Sequence, residues 1–90
     1  MYNVKIEHFK PDYRKGNLES ALSIIDIKSF KTKKLAKEYI EKELIQYKII
    51  TRQYNRRDGS CYCLAFTGKT WTNESTGEKC NEFFKYLILK

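Results

Sequence analysis

The first part of the chain alternates between apolar and polar residues. Residues 1–9 do so with a period of two, which is typical of a half-buried β-strand. The pattern breaks at Pro11 and Gly16, both of which favour turns. Residues 18–29 then contain a run of β-branched residues and predict a second strand. We expect the two strands to pair as a hairpin with a long loop.

The hydrophobic period changes to that of a helix after residue 31. Thr32 is a suitable N-cap for a helix that runs to about Ile45 or Tyr47. Apolar residues fall on one half of this helix and charged residues on the other, so the apolar half should pack on the sheet. Glu43 points toward the middle of the apolar half. It predicts either that the helix frays there or that its carboxylate meets a buried donor.

The rest of the chain predicts further strands. Residues 48–55 and 60–67 predict two strands joined at Arg56-Arg57-Asp58-Gly59, where Asp-Gly favours a tight hairpin. Residues 80–89 predict a final strand. A further short strand at Trp71 and its neighbours is an open alternative that is not counted in the order below. The predicted fold is therefore α+β, with the order ββαβββ, as a single small domain over residues 1–90. It has an antiparallel sheet of four to five strands with one helix packed on one face.

One helix cannot cover a sheet of five strands. The other sheet face is therefore expected to be solvated, paired with a second subunit or used for binding. From this uncovered face and its edge strands we predict a homodimer. The aromatic residues expected in the core are Tyr39, Tyr47, Phe66, Phe84 and Tyr86.

The charge of the chain narrows the kind of partner. Eighteen Lys and Arg residues against eleven Asp and Glu residues give a formal net charge of +7 and a pI of about 9.4. This balance favours nucleic acid or an anionic surface as a partner. The alternative is that the lysines, which are spread along the whole chain, only keep the protein in solution.

Three of the four arginines lie within six residues of one another, as Arg52, Arg56 and Arg57. On a strand, Arg52, Tyr54 and Arg56 share one face. The guanidinium groups can then bind phosphate while the aromatic ring stacks on a base. Two smaller groups also combine cations with an aromatic ring, namely Arg14 with Lys15 beside Tyr13, and Lys69 beside Trp71. These groups supply the predicted nucleic-acid-binding residues: Arg52, Tyr54, Arg56, Arg57, Arg14, Lys15, Lys69 and Trp71.

No motif in the sequence predicts catalysis. Thr67-Gly68-Lys69-Thr70 resembles the end of a phosphate-binding P-loop, but Cys63 stands where that loop needs its first glycine. Cys61, Cys63 and Cys80 with His8 have the donor atoms of a zinc site, although small buried cysteines in a sheet are the favoured interpretation. RNase-type chemistry by His8 stays an alternative. We expect no enzyme activity, no metal and no cofactor.

The sequence also predicts where the protein acts. No apolar run approaches the roughly 20 residues of a membrane span, and the polar start is unlike a secretory signal. An odd number of cysteines, three, is unlike a secreted disulfide framework. We therefore expect a cytoplasmic protein without a membrane partner. Its richness in Lys, Ile, Tyr and Asn is typical of phages and low-GC bacteria.

Two functions fit these features. The favoured one is a small non-enzymatic nucleic-acid-binding protein, with RNA favoured over DNA, as a phage-type regulatory or anti-defence product. The alternative is a protein-binding inhibitor of a host enzyme or defence complex, of an anti-CRISPR-like or antitoxin-like kind. Such an inhibitor would dock its target through the open sheet face or a sheet edge.

Overall fold

A computed structural model describes residues 1–14, 16–52 and 61–90 of the chain. In chain order, the elements in these residues are β1 (Tyr2–Asp12), β2 (Glu19–Phe30), α1 (Lys33–Leu44), β3 (Ile49–Thr51), β4 (Cys61–Thr72) and β5 (Lys79–Leu89). The strands form one antiparallel sheet in the order β2-β1-β5-β4-β3. The predicted α+β class and the order ββαβββ are confirmed.

β1 and β2 form the predicted hairpin, and β1 is longer than its hydrophobic pattern indicates. It continues through Pro11 to Asp12, where it still pairs with β2. The pairing of β1 with β5 ends at Phe9, so Pro11 lies where β1 has a neighbour on one side. Proline, which lacks an amide hydrogen, is tolerated where no strand needs that donor. The break in the pattern therefore does not end the strand.

β4 includes Trp71, for which a separate short strand was the open alternative. The pairing of β4 with β5 shifts between Phe66 and Thr70. This irregularity contains Gly68, whose φ of 92° is accessible to glycine without steric cost. β4 can therefore resume its pairing with β5 and continue through Thr72. β3 is short, and residues 53–55 of the predicted strand and the Asp58-Gly59 turn lie outside the described residues.

α1 begins where its sequence predicts. The Oγ1 atom of Thr32 accepts a hydrogen bond from the amide of Leu35 at 3.2 Å, which satisfies one of the free donors of the first turn. The helix ends at Leu44, because the amide of Tyr47 donates to the Leu44 carbonyl at 3.0 Å and closes a tight final turn. The end is thus close to Ile45, the earlier of the two predicted ends.

The core lies between α1 and the centre of the sheet. Ala36, Ile40 and Leu44 recur every four residues along α1 and are buried. They form one cluster with the buried strand residues Val4, Ile6, Cys63, Ala65 and Tyr86. Tyr39 and Glu43 lie beside this cluster, and the Tyr39 hydroxyl donates to the Glu43 carboxylate at 3.2 Å. Glu43 therefore meets a half-buried donor, as the second predicted alternative has it.

The sheet face opposite α1 is not covered by any described helix or strand, and we call it the open face. Since Val4 and Ile6 of β1 face α1, the residues between and after them, from Lys5 to Phe9 in steps of two, point the other way. The open face consists of these residues and their paired neighbours on β2, β5 and β4. Phe66 pairs with Phe83 on the open face, so its predicted place in the core is wrong, because the register of β4 sets its direction. The other four predicted core aromatics do pack in the core.

Candidate nucleic-acid interface

The first half of α1 carries exposed lysines on its outer side. Lys33, Lys34 and Lys37 line a shallow groove together with Glu38 and Glu41. Lys33 and Lys37 are four residues apart and so lie one above the other along the helix. Sequence reasoning assigned these lysines to the solvated face of α1 and did not include them in the site. The position of Lys33 and Lys34 in the first turn, with Lys37 at the start of the second, is the signal that it missed.

The electrostatics of this turn are unfavourable for the helix. The first turn of α1 contains no acidic residue, and the amino-terminal end of a helix already carries partial positive charge. A cation there costs about 0.3–1 kcal/mol at low ionic strength. Within the described part of the chain, none of Lys33, Lys34 and Lys37 forms an ion pair. The start of α1 is thus a positive surface whose lysines have no ion-pair partner among the described residues.

Arg52 extends this surface beyond the middle of α1. Its guanidinium group donates to both oxygens of Glu41, with Nη2 2.8 Å from Oε1. The hydroxyl of Tyr62 donates to the same carboxylate at 2.6 Å. Because Glu41 is four residues after Lys37, this ion pair places Arg52 at the end of the lysines on α1. We call these four cations the basic row: Lys33, Lys34, Lys37 and Arg52.

The ion pair between Arg52 and Glu41 is open to water. The hydrogen bonds from Arg52 and then from Tyr62 lower the pKa of Glu41, and burial together with the bond to Glu41 raises the pKa of Tyr62 to about 12. The side chains of Arg52 and Glu41 are 51% and 42% exposed. Exposed pairs of this kind contribute about 0.2–1 kcal/mol. Arg52 can therefore exchange Glu41 for a phosphate at a small cost.

Arg14 lies on a different part of the molecule. Its Nε and Nη2 atoms donate to Asp12 at 3.0 and 2.9 Å, and its side chain is 82% exposed. Asp12 raises the pKa of Arg14 through this contact. The sheet register places Thr51, next to Arg52, level with Glu7. Asp12 is five residues further along β1, about 16 Å away along the strand, so the structure does not bring Arg14 and Arg52 together.

Lys69 and Trp71 lie on β4, and they differ in exposure. Lys69 is exposed in the irregular part of the strand. Trp71 is only 8% exposed, its Nε1 donates to Oγ of Ser20 at 3.0 Å, and its ring packs on Phe9 with centroids 5.4 Å apart. This packing does not favour the predicted stacking of Trp71 on a base.

The remaining predicted site residues are not described by the structure. Lys15, Tyr54, Arg56 and Arg57 lie outside the described residues, so their roles stay predictions. Arg56 and Arg57 follow Arg52 by four and five residues in the chain. Their hypothesised site and the basic row therefore share Arg52.

His8 takes part in a polar cluster near the end of α1. Its Nε2 atom bonds to Glu82 at 2.9 Å, and its ring stacks on Phe84 with centroids 4.2 Å apart. Thr67 donates to the other oxygen of Glu82 at 2.5 Å. Burial opposes ionisation of Glu82, but the hydrogen bonds from Thr67 and His8 lower its pKa below the ordinary value. The hydrogen bond and the ring contact of His8 are with Glu82 and Phe84 rather than with a thiol.

The cysteines lie in the sheet, and no disulfide joins them. Cys61 and Cys63 are buried, and Cys80 is half-buried. Burial raises the pKa of the Cys63 thiol to about 12. In residues 1–14, 16–52 and 61–90, no three His, Cys, Asp or Glu side chains group in a way that could hold a metal ion. The donor set of the alternative zinc site is therefore not brought together in these parts of the chain.

Comparisons with protein-family models, curated proteins and solved structures gave no match to this chain. Among the described residues, no helix is long and apolar enough to cross a membrane.

Proposed function

We propose that this chain is a small non-enzymatic nucleic-acid-binding protein that contacts the phosphates of RNA through the basic row. The observation that carries the proposal is the lysine-rich first turn of α1, where like charge costs helix stability and no described carboxylate is paired with the lysines. A bound phosphate would offset this cost, because its negative charge is attracted both to the lysines and to the amino-terminal end of the helix. A net charge of +7 adds long-range attraction to any polyanion.

The outer side of α1 favours backbone contact over reading of a duplex. Reading the major groove uses side chains such as Arg, Asn and Gln that bond to base edges. The outer side of α1 instead presents lysines and glutamates, with Glu38 and Glu41 among the lysines. RNA with unpaired nucleotides can place phosphates on the row and a base on the predicted stacking residue, Tyr54. We propose a cytoplasmic location, which the odd number of cysteines, three, supports.

The test compares two triple variants that lose the same charge. One variant replaces Lys33, Lys34 and Lys37 with Gln, and the control replaces three exposed lysines elsewhere: Lys10, Lys79 and Lys90. Binding of fluorescent single-stranded and hairpin RNA is measured by polarisation at several salt concentrations. Since each phosphate contact on a single strand contributes about 0.7 to the logarithmic salt slope, the first variant should lower that slope by about 2. The control variant should retain most of the salt slope of the unaltered protein.

Two results would contradict the proposal. If both triple variants weaken binding equally, only net charge matters and the basic row is not a site. If the unaltered protein binds no RNA at low salt, the function passes to the alternative, a protein-binding inhibitor. Circular dichroism of both variants verifies that the fold is kept, which is expected for exposed positions.

A further inference from the structure

The open face of the sheet is rich in apolar side chains. On the edge strand β2, Leu22, Ile24 and Ile27 are 51%, 56% and 58% exposed. They lie directly across from Phe9, Glu7 and Lys5 of β1. Beyond β1, the register adds further apolar residues of β5 and β4 to the same face: Phe83, Leu87, Leu89, Leu64 and Phe66.

Ring contacts connect the aromatic residues of this face. Phe9 stacks on Phe83 with centroids 4.9 Å apart, and Phe66 meets Phe83 edge-on at 5.8 Å. The three rings thus form a continuous strip across β1, β5 and β4. Together with the exposed aliphatic residues of β2 they form an apolar patch of the kind that marks an interface.

The charged residues of the open face have both signs. Lys5 and Glu7 form an ion pair at 3.3 Å, and Lys85 lies directly across from Glu7 on β5. A two-fold interface brings a patch against a copy of itself, so the patch must be complementary to itself. An apolar surface with adjacent positive and negative groups meets this condition. A phosphate backbone, by contrast, would meet a face with little net positive charge.

The size of the face suits an interface between two copies. The four long strands, spaced by about 4.8 Å over seven residues at about 3.3 Å each, and the three residues of β3 together span about 490 Å². Two such faces would bury about 980 Å² in projection, which is close to the roughly 1,000 Å² of a specific interface. We infer that the open face binds the open face of a second copy of this chain.

This dimer is a two-layer sheet sandwich with both α1 helices on the outside. The inference does not rest on the basic row, because that row belongs to the α1 side of the sheet. Two chains of charge +7 would meet through a face on which Lys5, Glu7 and Lys85 leave little net charge. Their lysine-rich helices would be further apart than the Debye length of about 8 Å at physiological salt.

The experiment is sedimentation velocity over a range of protein concentrations. The unaltered protein should sediment as a dimer, at twice the monomer mass of 10.8 kDa, and dissociate on dilution. Ile24→Glu and Ile27→Glu should each weaken the dimer by at least about tenfold, because each places a charge in an apolar contact. The matched control is Ile45→Glu, at a residue that follows α1 and is 83% exposed, which should leave the dimer intact.

Each outcome decides the inference. Circular dichroism establishes that the variants are folded, and Leu22→Thr, which removes apolar area without adding charge, should weaken the dimer in the same direction. A monomer at every concentration, or a dimer that tolerates all three open-face substitutions, would overturn the inference. A monomer that still binds RNA would leave the proposed function intact and assign the open face to a different protein. If the triple variant of α1 loses RNA binding but still sediments as a dimer, the proposed RNA site and the dimer interface are separate and the inference stands.

Discussion

Removal of the Glu41 carboxylate tests whether Arg52 binds phosphate. In the structure, the Glu41 carboxylate accepts hydrogen bonds from both Nη atoms of Arg52, so an RNA phosphate must compete with Glu41 for this guanidinium group. Glu41→Gln keeps the shape of the side chain and removes the charge. The pair is about half exposed at both residues, so its loss should cost at most about 1 kcal/mol of unfolding free energy.

The same free energy should appear in RNA binding with the opposite sign. When Glu41 no longer competes for Arg52, RNA affinity should rise by up to about fivefold, which corresponds to about 1 kcal/mol. In the Arg52→Ala background, Glu41→Gln should change affinity by less than about twofold, because the competition is already absent. The affinities of the four proteins, measured by polarisation at one salt concentration, complete a double-mutant cycle.

Glu38→Gln is the matched control for this cycle. It removes the same charge from a neighbouring position of α1, and Glu38 forms no ion pair within the described residues. Its effect should be small, and equal in the unaltered protein and in the Arg52→Ala background. If Glu41→Gln raises affinity equally in both backgrounds, Arg52 does not contact RNA, and the bidentate pair is only a structural link between α1 and the end of β3.

Three further predictions concern the fold. With its pKa raised to about 12, only about one Cys63 thiol in ten thousand is ionised at pH 8. Iodoacetamide should therefore label Cys80 in the folded protein and leave Cys63 unlabelled. Equal labelling of the two cysteines would contradict the burial of Cys63. Ile40→Ala should cost about 2–5 kcal/mol in urea unfolding because Ile40 is fully buried, whereas exposed Ile45→Ala should cost less than about 0.5 kcal/mol. The folded state lowers the pKa of Glu82 below 4.5, so ionised Glu82 contributes fully to the free energy of unfolding above that pH, and this contribution is lost as the pH falls through the lowered pKa. Glu82→Gln should therefore flatten this part of the curve of unfolding free energy against pH.

Local patterns were sufficient to predict the helix and most of the strands, but not where each strand ends. The two-residue period of β1, the Thr32 cap and the half-apolar helix each act over a few residues, and the structure agrees with them. The order of the strands within the sheet was not predictable from local patterns. β1 pairs with β5 across almost the whole length of the chain, and no short pattern records which strand will become its neighbour.

The candidate site shows the same limit. Arg52 could be recognised as a cation from its sequence neighbours, but its pairing with Glu41 depends on how α1 is placed against the end of β3. Trp71 lies close to Lys69 in the sequence and was therefore predicted to be available for stacking. Its contacts with Phe9 and Ser20 come from strands that are more than fifty residues earlier in the chain, and these contacts bury the ring.

The central pairing of β1 with β5 has a consequence for the synthesis of the protein. Val4 pairs with Ile88 and Ile6 with Tyr86, so β1 must wait for β5, which is synthesised after the other described elements, before the sheet can close. Contacts between residues so distant in sequence form slowly, because a long loop must be closed before they gain free energy. During that delay the β1–β2 hairpin has no partner on its inner edge, and the isoleucines of β2 stay exposed. On the ribosome, this hairpin is therefore the segment most prone to pair with another chain.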